Sequence, residues 1–360
     1  MEKKVVKIGV VGMRRGRDVI SNVVDDENIV LRAICDKDPD RLASARKYFE
    51  EERHVKDLLC FDSLEDILAS DIDAVYLATD ATLHAGHAIL AMEAGKHVIS
   101  EIPAIDSIED ARKLKEAANA HPNVKYMVGE NCCYWEFIQT WKKMYVDGKF
   151  GQAVYAESEY LHAGDITKIN PDDYKKAHWR HSYNAIKYLP PTLGPLQYIM
   201  NARCVSVPSM EPDVRYKPNK TGAETGVALF KTAKGAVLRI LICFGAYVGF
   251  DHNFRICGTL GSIETDNIAN LVDATSYAKL AEIPGTFEAK MEIPVRLGQR
   301  NAAGHGGADA KMMRAFVDCI INDTKPPLDI DLGIAMSIPG IYAHESALQG
   351  GMPIEIPFME

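Results

Sequence analysis

The sequence predicts an α/β protein with a parallel-sheet domain over residues 1–128, followed over residues 129–360 by an α+β domain with a largely antiparallel open sheet. Three observations carry this. Short apolar runs alternate with helix-compatible stretches through the first third of the chain, a glycine turn follows the first run, and an acid ends the second run about twenty residues later. Length agrees with two domains, because 360 residues exceed the roughly 250–300 at which a single core stops growing.

The first strand is expected over Val5–Val11, followed by the turn Gly12-Met13-Arg14-Arg15-Gly16 and a helix from Asp18. The second, Ile29–Cys35, ends at Asp36. Strand, glycine turn, helix, strand and acid at this spacing make a dinucleotide site of Rossmann type. The Asp36 carboxylate can accept both adenosine ribose hydroxyls and would repel a 2′-phosphate, so the cofactor expected is NAD; Lys37 weakens that preference a little. A full GxGxxG would need glycines at 14 and 17, where this chain has Arg14 and Arg17. The shorter loop can still bring backbone N–H groups to a pyrophosphate, with charge added by Arg14 or Arg15.

A strand Ile72–Thr79, a helix Leu83–Ala94, a strand His97–Ser100, a helix Asp106–Ala120 and a strand Val124–Gly129 complete the alternation. Asp106 is the expected N-cap, with Glu109 at the capping-box position. Sites in such sheets lie at the carboxyl ends of the strands, so Thr79, Asp80, Glu101 and Glu130 are expected at one crevice. His84 reads as a cofactor-side contact and His87 as structural.

In the second half, Ala153–Leu161 alternates as a strand, which puts Tyr160 and His162 on one face. Further strand-like runs are Gly226–Phe230, Gly235–Phe244, Asn253–Cys257 and Ser262–Glu264. A polar stretch, Asp165–Lys176, reads as a loop leading to Trp179-Arg180, an indole that can stack on a nicotinamide or sugar face and a guanidinium that can bond hydroxyls. His305 stands between glycines ahead of a helix from about Ala308, and helices Asp309–Asn322 and Leu332–Gln349 should pack near the domain junction.

Composition excludes several classes. Apolar residues are 47% and charged residues 25%, with no apolar run long enough to span a bilayer, so no membrane role is expected. A net charge of -9 argues against nucleic acid as a partner. The start MEKKVVKIGVVG has no secretory pattern, so a cytoplasmic location is expected. Eight cysteines without a CxxC pair read as buried free thiols, and no spacing suggests a metal.

The stretch from Asp71 to Lys113, with Phe150-Gly151, Gly258-Thr259-Leu260-Gly261-Ser262-Ile263 and Pro326-Pro327-Leu328-Asp329, resembles the Gfo/Idh/MocA family of NAD(P)-dependent sugar and inositol oxidoreductases. That family usually has Glu-Lys-Pro where this chain reads Glu101-Ile102-Pro103, so the customary catalytic lysine is missing. A nearer likeness is to the NAD-dependent glycosidases of glycoside hydrolase family 109. It rests on Glu130-Asn131 with Tyr134, Tyr160-Leu161-His162, Trp179-Arg180, Tyr188, Leu193-Gly194-Pro195 and Gly304-His305-Gly306-Gly307. Those enzymes carry a histidine in Tyr-Pro-Thr-His-Gly-Leu-Gly-Pro where this chain has Pro191, which cannot carry a proton.

The resemblance implies an NAD-dependent oxidoreductase acting on a secondary ring hydroxyl, at C3 of a sugar or glycoside, and a homo-oligomer built through the open sheet. His162, Tyr160, Tyr188 and His305 are the candidate bases, and histidine is suited by its reference pKa of about 6.5. Two alternatives stay open: a redox-neutral glycosidase or lyase using transient oxidation and elimination, and a non-catalytic NAD sensor.

Overall fold

The computed structural model describes residues 4–162, 179–214, 222–245, 251–266, 275–280, 289–293 and 303–357. The expected loop Asp165–Lys176 lies outside them. The chain forms two compact units, Met1–Asn131 with Ala303–Ile334, and Cys132–Ala302 with Ala335–Glu360. This differs from a single cut at residue 128, because the chain returns to the first unit. Helix Ala308–Ile321 packs on strand Val6–Val11 and helix Arg15–Ile20, burying Met312, Met313, Phe316 and Val317. The Val128 N–H also donates to the Leu328 carbonyl at 2.9 Å.

The first unit holds six parallel strands: β1 Val6–Val11, β2 Ile29–Cys35, β3 Leu59–Phe61, β4 Ala74–Leu77, β5 His97–Ser100 and β6 Tyr126–Val128. Their order is β3-β2-β1-β4-β5-β6, the doubly wound arrangement of dinucleotide domains. Val10 pairs with Ile34 on one side and Tyr76 on the other, and β1 and β4 are almost wholly buried, which is why they read as unbroken apolar runs. Gly12, at φ +94°, lies so close to β4 that a Cβ there would sit 2.3 Å from the Ala78 carbonyl oxygen.

The capping box falls one residue later than expected. Helix Ile108–Ala120 is capped by Ser107, whose hydroxyl accepts the Asp110 N–H at 3.0 Å while the Asp110 carboxylate accepts the Ser107 N–H at 3.0 Å. Glu109 instead pairs with Arg112 on the surface. Similarly, the first helix begins at Arg15 and not at Asp18.

Among the described residues the second unit has ten strands: β7 Ala153–Leu161, β8 Cys204–Val207, β9 Ser209–Met210, β10 Thr225–Thr232, β11 Val237–Cys243, β12 Asp251–Gly258, β13 Gly261–Asp266, β14 Thr275–Leu280, β15 Ala289–Ile293 and β16 Ile354–Glu355. They run β15-β14-β13-β12-β7-β11-β10-β8-β16, with β9 beside β10. Among the described strands of this sheet only the β7–β11 pair is parallel, so the sheet is largely antiparallel. Strand alternation sends Ala156, Ser158 and Tyr160 to a buried face on which helix Pro190–Met200 packs. The other face carries an ion ladder in which Arg239 reaches Glu157 at 2.9 Å and Glu159 at 2.8 Å.

The eight cysteines are free thiols, with Cys60 and Cys257 only partly buried and the others buried. Among the described residues, no helix is long and apolar enough to cross a membrane.

Candidate functional site

In the first unit the site grows from the carboxyl ends of β1, β2, β4 and β5. Asp36 is buried at the end of β2, and its two oxygens accept the Met13 N–H at 2.7 Å and the Asp38 N–H at 2.9 Å. The acid therefore fixes the glycine loop as well as presenting a carboxylate. Arg41 approaches it at 3.4 Å, and Lys37 is exposed nearby, 3.8 Å from Asp80. A tight glycine turn beside an oriented acid fits a dinucleotide. Asp36→Ala is expected to weaken NAD binding about 10–100-fold, the worth of charge-assisted hydrogen bonds. It should also narrow the margin over NADP, since Lys37 and Arg41 remain. Titration with both dinucleotides tests this, and an unchanged Kd for NAD contradicts it.

Arg14 is exposed, but Arg15 is not turned outward as a free loop charge. Its Nε donates to Glu101 at 2.9 Å, and its two terminal nitrogens donate to Asp309 at 2.8 and 2.7 Å. Glu101 also accepts a hydrogen bond from the Tyr76 hydroxyl. Ile102 is buried in a cis Ile102–Pro103 segment. Glu130 and Asn131 are buried, and the Asn131 amide donates to Asp309 at 2.8 Å.

His84 is buried and bridges two strand ends, its ring nitrogens 2.9 Å from the Pro103 carbonyl and 3.0 Å from that of Thr79. His87 meets the Thr79 hydroxyl at 3.2 Å. Burial lowers the His84 pKa below the usual histidine value, against the pull of the carbonyls and Glu101. Its folded value lies below its unfolded one. The stability it contributes is therefore present above about pH 6.5 and lost as pH falls below that. His84→Gln is expected to flatten the Tm profile just below about pH 6.5; a wild-type Tm that does not fall there contradicts the assignment.

Asp309, the second residue of its helix, is fully buried and receives His305 Nδ1 at 3.1 Å besides Arg15 and Asn131. Burial alone would favour the neutral acid, but hydrogen bonds from His305 and Arg15 hold Asp309 well below the usual carboxylate range. For Arg15, burial opposes the charge, while Glu101, Tyr76 and Asp309 together keep the guanidinium above its ordinary value. The Tyr76 phenol is pushed up by burial and by Glu101, so it stays protonated and donates.

His305 occupies a left-handed backbone position at φ +51°, in a turn with Gly304, Gly306 and Gly307 at positive φ. That turn aims its ring at Asp309. An ionised carboxylate only accepts, so Nδ1 is the donor in this pair.

In the second unit, β12 runs antiparallel to β7 with His252 opposite Tyr160, and β11 lies on the other side of β7 with Ile242 opposite Tyr160. The Tyr160 ring centroid lies 4.4 Å from that of His252, 5.3 Å from His162, 5.8 Å from Phe244 and 6.3 Å from Tyr188, the last stacked. Trp179 lies 5.7 Å from Tyr188, and the Arg180 guanidinium sits 4.9 Å from the Tyr188 ring and 5.1 Å from the Trp179 ring. Pro191 is buried in the first turn of helix Pro190–Met200.

The structure thus gathers Tyr160, His162, Tyr188, Trp179 and Arg180 in one unit, and Arg15, Asp36, Glu101, Asn131 and His305 in the other. Sequence reasoning missed Asp309, Tyr76, His252 and Phe244. Asp309 gave no helical-spacing signal, because His305 lies before the helix in a left-handed turn with Gly304, Gly306 and Gly307. His252 and Phe244 required the strand register, which no local pattern supplies.

Residues 6–130 match the profile described as oxidoreductase family, NAD-binding Rossmann fold, and residues 194–359 match that of the glycosyl hydrolase 109 C-terminal domain. A glycosyl hydrolase family 109 protein of Solibacter usitatus is 25% identical, the match covering 98% of this chain and 87% of that protein. An alpha-N-acetylgalactosaminidase of Bacteroides fragilis is 26% identical, over 98% of this chain and 91% of the relative. Among solved structures, levoglucosan dehydrogenase in complex with NADH and L-sorbose superposes with a TM-score of 0.84 at 18% identity, over 99% of this chain and all of the other, a likeness of fold.

Proposed function

Since the chain carries a Gfo/Idh/MocA-family NAD-binding domain and a glycosyl hydrolase 109 C-terminal domain, we propose that it oxidises a secondary ring hydroxyl, at C3 of a sugar or glycoside, with His305 as base. The observation that carries this is the pairing of His305 Nδ1 with the buried Asp309 carboxylate at 3.1 Å. The other ring nitrogen of His305 can then face a substrate while Nδ1 is oriented by a buried acid, the arrangement expected of a positioned base. The glycine loop and Asp36 would hold NAD, which when bound would supply the hydride acceptor.

His305 Nε2 takes the hydroxyl proton as the ring carbon is oxidised, and Asp309 stabilises the imidazolium that results. Ile102 has no titratable group, so it cannot serve as the lysine of the wider family does. The rings of Tyr160, Tyr188 and Trp179 suit the apolar face of a pyranose, and Arg180 offers donors to its hydroxyls.

The second reading, redox-neutral cleavage of a glycoside, is favoured by the C-terminal match and by the relatives named glycosyl hydrolase family 109 proteins. Against it stands Pro191, at the place of a histidine in those glycosidases. Incubation with NAD and a panel of free sugars and aryl glycosides, read by mass spectrometry, separates the two. A product two hydrogens lighter with accumulating NADH supports oxidation, whereas aglycone release without lasting NADH replaces it with the second reading.

A further inference from the structure

We infer that Arg15, in the glycine turn where the first helix begins, is a positioning residue for His305: by clamping Asp309 from the opposite side, it fixes the ring proton on His305 Nδ1 and leaves Nε2 as the unprotonated nitrogen. This rests on the reading of His305 as base.

The geometry is that of one carboxylate with its acceptor sites filled. Asp309 Oδ1 accepts from Arg15 at 2.7 Å and from Asn131 at 2.8 Å, while Oδ2 accepts from Arg15 at 2.8 Å and from His305 at 3.1 Å. Arg15 and His305 therefore share an oxygen, and the Arg15 nitrogen lies 3.5 Å from His305 Nδ1. Both are donors there, so neither satisfies the other and both depend on Asp309 being ionised.

Asp309 is fully buried, and a buried carboxylate without a cation turns to its neutral acid. As an acid it donates its O–H to Nδ1. The ring proton then moves to Nε2, and the lone pair needed for proton abstraction is lost. Removing the guanidinium therefore disables a histidine it does not replace. The same guanidinium bonds Glu101 at 2.9 Å, so a cation still stands beside this acid although Ile102 supplies none.

The test is a long-range proton–nitrogen correlation on nucleotide-free, full-length protein labelled with 15N in the histidine rings, with His305→Asn used to assign the signal. Wild type is expected to show Nδ1 protonated and Nε2 bare. Arg15→Gln should put a proton on Nε2 in most molecules, Asp309→Asn should do the same, and Arg15→Lys, which keeps the charge but not the fork, should give an intermediate fraction. If Arg15→Gln does not fold, Arg15→Lys carries the test. A bare Nε2 at the wild-type level in the folded variant overturns the inference. The two claims separate: activity retained in His305→Asn removes the base assignment whatever the spectrum shows, while an unchanged spectrum removes the role of Arg15 whatever the activity.

Discussion

Replacing His305 by asparagine is expected to lower kcat for glycoside oxidation by roughly 10²–10⁴-fold, the usual contribution of a positioned general base. Asparagine is the right substitution because His305 sits at φ +51°, and asparagine tolerates that left-handed backbone where most residues are strained. The turn that positions the residue is kept, and only the base is lost. NAD affinity should be unchanged, since the residues proposed to hold the dinucleotide are the glycine loop and Asp36. Steady-state kinetics with a separate NAD titration gives both numbers. A variant with kcat near wild type would move the base to Tyr160, His162 or Tyr188.

The second large effect is on stability. Asp309→Ala removes the carboxylate that receives Arg15, His305 and Asn131, leaving a partly buried guanidinium with Glu101 alone. Breaking a buried pair from one side costs about 3–5 kcal/mol. In a unit of this size that lowers Tm by about 6–20 °C near neutral pH. The pH dependence follows from the depressed folded pKa of Asp309. Its stabilisation is present above the unfolded carboxylate value of about 4 and disappears as pH falls below it. Wild type and variant should therefore converge in acid. Equal Tm values at neutral pH would mean that the cluster is not held as described.

Much of this was legible in the sequence. Ile29–Cys35 and His97–Ser100 are strands at the residues where apolar runs begin and end, although Val30 and Arg32 of the first reach outward. Asp36 was identifiable by its distance from the glycine turn, and Tyr160 with His162 by strand alternation. Capping was less so: Asp106 and Ser107 are both good caps, and the choice falls to the residue with an acid three positions on that can reach back. The role of Arg15 was out of reach. Its partners, Glu101 and Asp309, are 86 and 294 residues away, and nothing local tells a loop arginine that meets phosphate from one that clamps two acids. The return of residues 303–334 to the first unit was hidden for the same reason, since helix Ala308–Ile321 is amphipathic wherever it packs.

The central claim is that a ring carbon of a sugar gives up a hydride. It is tested most directly by mixing the NAD-loaded protein with a glycoside carrying deuterium at C3, and reading the reduced nicotinamide by mass spectrometry in one turnover. The account predicts deuterium on the nicotinamide and a slower turnover than with the undeuterated glycoside. Reduced nicotinamide without the label would place oxidation at another carbon, and a glycoside consumed with no reduced nicotinamide at any time would contradict hydride transfer altogether.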